Sequence, residues 1–274
     1  MIYLLNILKG MVMGLAMLIP GVSGGTMAVI MGIFDPLINA VGSFFKEPKK
    51  SLKILIPIAI GGGLGILVFS MPIEWLLENL YAPTVFLFIG AVLGGIPPIY
   101  KETGITTKNV NIKKILLFAV GVFVVFALDN LPAGTFSIST ENVVMNWIVL
   151  AIAGAISSIA LVLPGISGSY MLLLLGLYKT VLTTINNRDF IQLIPFALGA
   201  CVGVILIAKL LQFFLKKYRQ STFTVILGFV VASIFQLNPG LPANFKEVVL
   251  SIILFFAGFI AILYMSRLEE KIEK

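Results

Sequence analysis

The sequence has no histidine among its 274 residues and one cysteine, Cys201. The first absence removes the commonest general base and the commonest metal ligand together. The second excludes a disulfide framework. Charge is scarce as well: Asp, Glu, Lys and Arg make up 11% of the chain, against 59% hydrophobic residues. A soluble domain carries about a quarter charged residues, so a water-facing surface cannot be covered here. The mean hydropathy, +1.09, agrees.

What the chain does contain is a succession of apolar stretches of roughly 20 residues, the length that crosses a ~30 Å hydrocarbon core. They run near 2–19, 23–45, 53–78, 83–100 and 112–131, and again near 145–163, 167–187, 190–215, 221–237 and 246–266. All are expected to be helical, because lipid tolerates no open strand edges. The first has Lys9 in its middle and no small-residue cleavage site before Pro20, so it is expected to be mature structure and not a removable signal. The formal net charge of +7 does not imply nucleic acid, since the lysines and arginines mostly sit in short loops between apolar segments. In a membrane protein that placement sets orientation.

The chain also repeats itself. A shift of 144 residues carries Gly10, Ala16, Pro20, Gly21, Ser23, Gly24, Met27 and Gly32 onto Gly154, Ala160, Pro164, Gly165, Ser167, Gly168, Met171 and Gly176. A shift of 138 then carries Ile56, Pro57, Ala59, Gly61, Gly65, Thr84 and Gly90 onto Ile194, Pro195, Ala197, Gly199, Gly203, Thr222 and Gly228. The identities fall in order and concentrate on glycine and proline, which marks a duplication. The expected organisation is a first repeat over 1–131, an extracytoplasmic connection over 132–144 and a second repeat over 145–274, in one membrane domain. Positive loops around Lys46–Lys53, Lys101–Lys114 and Lys216–Arg219 fall on the side of both termini, which are therefore expected in the cytoplasm. An odd number of crossings separates matching points, so the second repeat is expected upside down relative to the first. The fold class is thus an all-α integral membrane protein with two inverted repeats of five apolar helical segments each.

Each repeat is interrupted at the same place. Pro20-Gly21-Val22-Ser23-Gly24-Gly25-Thr26 and Pro164-Gly165-Ile166-Ser167-Gly168-Ser169-Tyr170 break apolar runs. Proline removes a backbone donor and glycine relaxes the helix, so Pro20, Gly21, Pro164 and Gly165 mark helix breaks. Ser23 and Ser167 then stand as N-caps of the helices that follow. Free N–H groups at such starts suit an anion, and two converging starts suit a phosphate. The plainer reading is a pair of kinks that allow close packing. The first two segments of each half either cross fully or dip in as hairpins, and hairpins are favoured. Gly61-x-x-x-Gly65 and Gly199-x-x-x-Gly203 are expected to pack helices closely. Trp75 and Trp147 are expected near the membrane interface.

Few charges fall within the segments. Asp35 and Lys179 lie three residues beyond the matched Gly32 and Gly176. Each is either functional or snorkels to a surface. Arg188 stands in a loop toward the outer side, where a cation would attract an anionic headgroup, and Lys209 lies in mid-segment.

With Ile19–Ile33 and Leu161–Tyr178 in view, the chain resembles the PopT family of polyprenyl-phosphate transporters, formerly a bacterial domain of unknown function. The resemblance covers essentially the whole chain and rests on Pro-Gly-Val-Ser-Gly-Gly-Thr followed by Gly-Ile-Phe, and on Leu-Pro-Gly-Ile-Ser-Gly-Ser followed by Leu-Leu-Leu-Leu-Gly-Leu-Tyr. It implies a translocase of the bacterial plasma membrane that returns undecaprenyl phosphate, the lipid carrier of cell-wall precursors, from the outer to the inner leaflet. Many relatives carry Ala-Asp shortly before the first Pro-Gly, whereas here Ala16 is followed by Met17. The expected substrate-binding residues are Ser23, Gly24, Gly25, Thr26, Ser167, Gly168, Ser169, Tyr170, Lys179 and Arg188, with Asp35 as a coupling candidate. No cofactor or metal is expected. The partners are the lipid substrate and the bilayer, and oligomeric state is not legible. A transporter or channel for a small anion is the rival. A membrane-embedded phosphatase lacks a histidine and a carboxylate cluster to activate a nucleophile or hold a metal.

Overall fold

A computed structural model describes residues 2–19, 22–106, 109–131, 143–166, 168–186, 190–237 and 239–272. Pro20, Gly21, Ser167 and Arg188, and the side chains of Ser169 and Tyr170, lie outside the described residues. Within them the chain forms twelve helices and no strand: α1 (Ile2–Met17), α2 (Gly24–Ile30), α3 (Phe34–Gly42), α4 (Pro48–Asn79), α5 (Tyr81–Glu102), α6 (Ile112–Asp129), α7 (Val143–Val162), α8 (Gly168–Leu174), α9 (Tyr178–Asn186), α10 (Phe190–Lys217), α11 (Arg219–Gln236) and α12 (Phe245–Ile272). Five of them, α4, α5, α7, α10 and α12, are long and apolar enough to cross a membrane, or six spans if α2 and α3 count as one bent span. The protein is a multi-pass, all-helical membrane protein.

The second apolar stretch of each half is two helices where one was expected. α2 and α3 diverge by 119°. Between them Gly32 adopts φ 65, its N–H bonds the Val29 carbonyl, and the Ile33 N–H reaches back to Ala28. That is a Schellman ending, which needs a left-handed residue one place past the helix cap. Gly176 does the same at φ 72, with Gly176 N–H on Leu173 and Leu177 N–H on Leu172. Ile33 and Leu177, the residues after the turn, are buried and hold the bend in place. Hydropathy does not register this break, because a left-handed glycine interrupts a helix without interrupting an apolar run.

Helices pair through small residues. α1 runs parallel to α4: a methyl on Gly10 would strike the Ile58 carbonyl, one on Gly61 the Ile7 carbonyl, and one on Gly65 the Met11 carbonyl. α7 meets α10 in the same way, with Gly154 against Phe196, Gly199 against Ala151 and Gly203 against Ala155. The remaining long helices pair across the halves. α5 packs on α12, with Gly90 against Phe255 and Gly258 against Leu87; α6 packs on α11, with Gly228 against Phe118 and Gly121 against Val225. Both x-x-x-spaced glycine pairs are therefore packing faces, as expected, where backbones come close enough that even a methyl is excluded.

The largest buried cluster draws on both halves. Ile19, Val22, Met27 and Ile30, from the first break and α2, pack with Val162, Leu211, Phe223, Ile226 and Val230 of the second half. A second cluster sets Ile166, Met171 and Leu174 against Val125, Phe229 and Ala232. The two breaks therefore lie in the core of the bundle and not at its ends.

Candidate functional site

The first break is built by its own backbone. α1 winds down through short-range bonds, Leu18 N–H to Leu15 and Ile19 N–H to Ala16, and Val22 N–H then turns back onto Ile19. Ser23 is extended (φ −101, ψ 136) and 5% exposed; its Oγ accepts from the Gly25 N–H at 3.2 Å. This is the expected N-cap. The first helical bond is Met27 N–H to the Ser23 carbonyl, which leaves the Gly24 and Thr26 N–H groups without an intrahelical acceptor, as at any helix start. α2 has only seven residues, so its macrodipole is that of two turns and the local N–H groups dominate.

The second break meets the first directly. Thr26, 1% exposed, accepts a 2.8 Å hydrogen bond at its Oγ1 from the Gly165 N–H, 139 residues away. A methyl on Gly25 would touch the Pro164 nitrogen at 3.4 Å, ordinary packing distance. Gly165 itself has φ +82, and a side chain there would run into the Phe229 carbonyl at 2.5 Å. Glycine is needed at this position on both counts. The sequence marked Thr26 as a candidate substrate-binding residue and not as a contact between the breaks. Its role as the tie between the breaks depends on tertiary contact and carries no local signature.

Asp35 sits in the first turn of α3, where a carboxylate suits the helix start. It is ion-paired with Arg219, which also bonds Glu102 at 2.7 Å. Only one Asp35 oxygen is engaged; Oδ1 is buried without a hydrogen-bond partner. These three residues border a pocket of about 240 Å³ of mixed polar and apolar lining, together with Gly32 and Lys101. A second polar tie holds the same limb: the Gln212 Nε2 donates to Asn39 Oδ1 at 2.8 Å and to Ser43 Oγ at 3.0 Å. Arg219, Glu102 and Gln212 were not singled out from sequence, because loop charges and a lone mid-segment glutamine look alike wherever they fall. Lys179 is exposed on α9. Lys209 is exposed too, its ammonium 5.9 Å from the Phe45 ring centroid, so its long stem carries the charge outward.

Comparison with known proteins gives a consistent picture. A polyprenyl-phosphate transporter of Staphylococcus aureus is 36% identical over 284 residues, covering 98% of both chains. One of Vibrio cholerae is 30% identical over 257 residues, 86% of this chain and 78% of that one. An undecaprenyl-diphosphatase of Clostridium tetani is 27% identical over 220 residues, 76% of this chain and 77% of that one. No solved structure matches the chain. Residues 13–248, which include both breaks, match the family described as VCA0040-like, undecaprenyl phosphate translocase-like, and the chain belongs to that family.

Proposed function

We propose that this protein moves undecaprenyl phosphate from the outer to the inner leaflet of a bacterial plasma membrane, recycling the carrier lipid, and that the phosphate is held where the two breaks meet. It is a transporter and not an enzyme: the family and two of its relatives carry transporter names, and the phosphatase-named relative is less similar. The observation that carries the site is the Thr26–Gly165 hydrogen bond, which joins two Pro-Gly-x-Ser-Gly segments that the chain separates by more than half its length. On the first side the site includes the Ser23 hydroxyl and the Gly24 and Thr26 N–H groups; the reading assigns it also Ser167, Gly168, Ser169 and Tyr170, which follow Gly165 in the second motif. Such a cradle of hydroxyls and amides binds phosphate by charge-assisted hydrogen bonds without needing a metal.

The reading includes an inverted duplication, with each α1–α3 and α7–α9 limb dipping in as a re-entrant hairpin. Its support is the matching of close approaches. Gly61 on Ile7 and Gly199 on Ala151 are the same contact under the two sequence shifts, and so are Gly228 on Phe118 and Gly90 on Phe255 to within one residue. The lysine-bearing loops support a reading with both termini in the cytoplasm. Inward movement of the phosphate works against an inside-negative potential by about 2.3 kcal/mol per charge per 100 mV. A phosphate monoester with two near-full charges therefore needs protonation or an accompanying cation. Asp35, with one carboxylate oxygen unpartnered, is the residue in this hairpin that would take part.

Reconstitution in liposomes with leaflet-resolved detection of undecaprenyl phosphate tests the function. The protein is expected to accelerate equilibration between leaflets over empty liposomes. No acceleration under any pH or ion gradient would reject it; acceleration of free phosphate release instead would favour a small-anion transporter.

A further inference from the structure

An apolar groove of about 480 Å³ runs between α6, α10 and α11. Its deep end is formed by Leu163 and Phe229. Leu163 precedes Pro164 in the second break, and the Phe229 carbonyl is the group against which Gly165 closes. Its other end is lined by Lys113, Tyr218 and Thr222, at the ends of α6, α10 and α11 that carry the lysine-rich loops. Leu210 and Tyr218, on its rim, are 53% and 48% exposed. The groove is thus greasy along its length, touches the break at one end and reaches cationic and hydroxyl groups at the other.

At the matching threonine the first half is closed, although an apolar pocket of about 280 Å³ lies nearby between α5 and α12, around Phe86, Ser251 and Phe255. Under the shift of 138, Thr222 corresponds to Thr84 and Ser221 to Pro83. Thr84 is 1% exposed, and its hydroxyl donates to the Leu80 carbonyl at 2.7 Å and reaches the Leu76 carbonyl of α4 at 3.4 Å. Pro83 is buried beside it. The Thr222 hydroxyl bonds the Tyr218 carbonyl of its own helix start, at 3.0 Å, and both Thr222 and Ser221 stay half-buried in the open groove. Bulk lipid would coat two equivalent helix faces alike, so a groove that is open at Thr222 and closed at Thr84 calls for an occupant that enters at Thr222.

We propose that this groove holds the isoprenoid chain of the transported lipid phosphate and forms its doorway to the leaflet on the lysine-bearing side; the proposal rests on the breaks being the headgroup site. An apolar chain lying along α11 from Thr222 to Phe229 leaves its polar end beside Pro164 and Gly165, and one sliding outward leaves that end beside Lys113. The apolar wall accepts the chain through burial of hydrocarbon, and the lysine matches the anionic end when it reaches the surface. The sealed equivalent at Thr84 makes this the inward-open arrangement of a carrier whose other doorway lies between α4, α5 and α12.

The test uses the full chain in liposomes containing undecaprenyl phosphate, with a membrane-impermeant phosphatase outside that reports how fast the lumenal pool becomes accessible. Leu210→Trp and Thr222→Trp, which fill the groove, are expected to slow this at least tenfold with an unchanged thermal unfolding temperature. In parallel, an isoprenyl phosphate bearing a photoreactive group in its chain is expected to label the Ile207–Tyr218 segment of the unmodified protein, with labelling displaced by undecaprenyl phosphate and not by phosphatidylglycerol. Wild-type rates in both variants overturn the proposal. So does labelling displaced equally by phosphatidylglycerol, which would make the groove a bilayer lipid site; the labelling arm decides the matter if a tryptophan variant does not fold. An unmodified protein that accelerates nothing overturns the headgroup reading itself, a result distinct from normal transport in blocked variants.

Discussion

Asp35 and Lys179 occupy matching places, three residues past the left-handed glycines Gly32 and Gly176, yet their surroundings differ sharply. Asp35 is clasped by Arg219, which also holds Glu102, so the tip of the first hairpin is tied to α5 and α11. Lys179 stands exposed. Under the shift of 138, the position matching Arg219 is Tyr81 and that matching Glu102 is Gly240, so the second hairpin has no equivalent clasp. The two matched positions thus carry opposite charges in different surroundings. In the orientation proposed above, the outward-facing limb offers a cation to an arriving anionic headgroup, while the inward-facing limb is latched by an ion-pair cluster.

The sharpest way to break the likeness of the two limbs is to replace both motif serines. Ser23→Ala combined with Ser167→Ala is expected to slow leaflet exchange of undecaprenyl phosphate at least tenfold in liposomes while the protein still inserts and folds; a normal rate would put the headgroup elsewhere. Next in size are the matched helix contacts. Gly61→Leu and Gly199→Leu each force a side chain into a facing carbonyl, at an expected cost of about 1–3 kcal/mol read from thermal unfolding in detergent. Similar losses in both would sharpen the duplication, whereas a loss in only one would break it. Thr26→Val strands the buried Gly165 N–H, also about 1–3 kcal/mol. Thr26→Ser should restore it, and full stability in the valine variant would mean the tie is dispensable.

Smaller effects separate the tips. Asp35→Asn loosens a part-exposed ion pair, so its stability cost is expected below about 1 kcal/mol. If Asp35 takes up the proton, the same change flattens the pH dependence of transport, and an unaltered profile removes it from coupling. Lys179→Gln is expected to weaken transport a few-fold at low salt and hardly at all at high salt, because a solvent-exposed charge acts through a screened field. Equal effects of Asp35→Asn and Lys179→Gln at every ionic strength would erase the distinction between latch and lure.

Much of this plan was legible in the sequence for a simple reason. Glycines such as Gly10, Gly61, Gly199 and Gly203 mark where backbones touch, so the paired packing faces were legible through them. The helix breaks were equally visible, since Pro164 and Gly165 have few other uses within an apolar run. The bends at Gly32 and Gly176 were matched as residues but hidden as structure, because their apolar flanks keep hydropathy high across a left-handed turn. The Thr26–Gly165 bond and the Asp35–Arg219–Glu102 cluster were invisible. Each unites residues from distant segments, and a hydroxyl or a loop arginine carries no local mark of its partner.

The central claim is that both breaks touch one phosphate. The Ser-Gly dipeptide occurs only at Ser23-Gly24 and Ser167-Gly168, so protein made with carbonyl-¹³C serine and ¹⁵N glycine carries the paired label at one amide in each break and nowhere else. Solid-state NMR of this protein with bound undecaprenyl phosphate then measures dephasing of those two amides by the ³¹P nucleus. Dephasing of both, at about 4 Å as expected for an amide donating to a phosphate oxygen, is the predicted result. Dephasing of one amide or of neither would contradict a headgroup shared between the breaks.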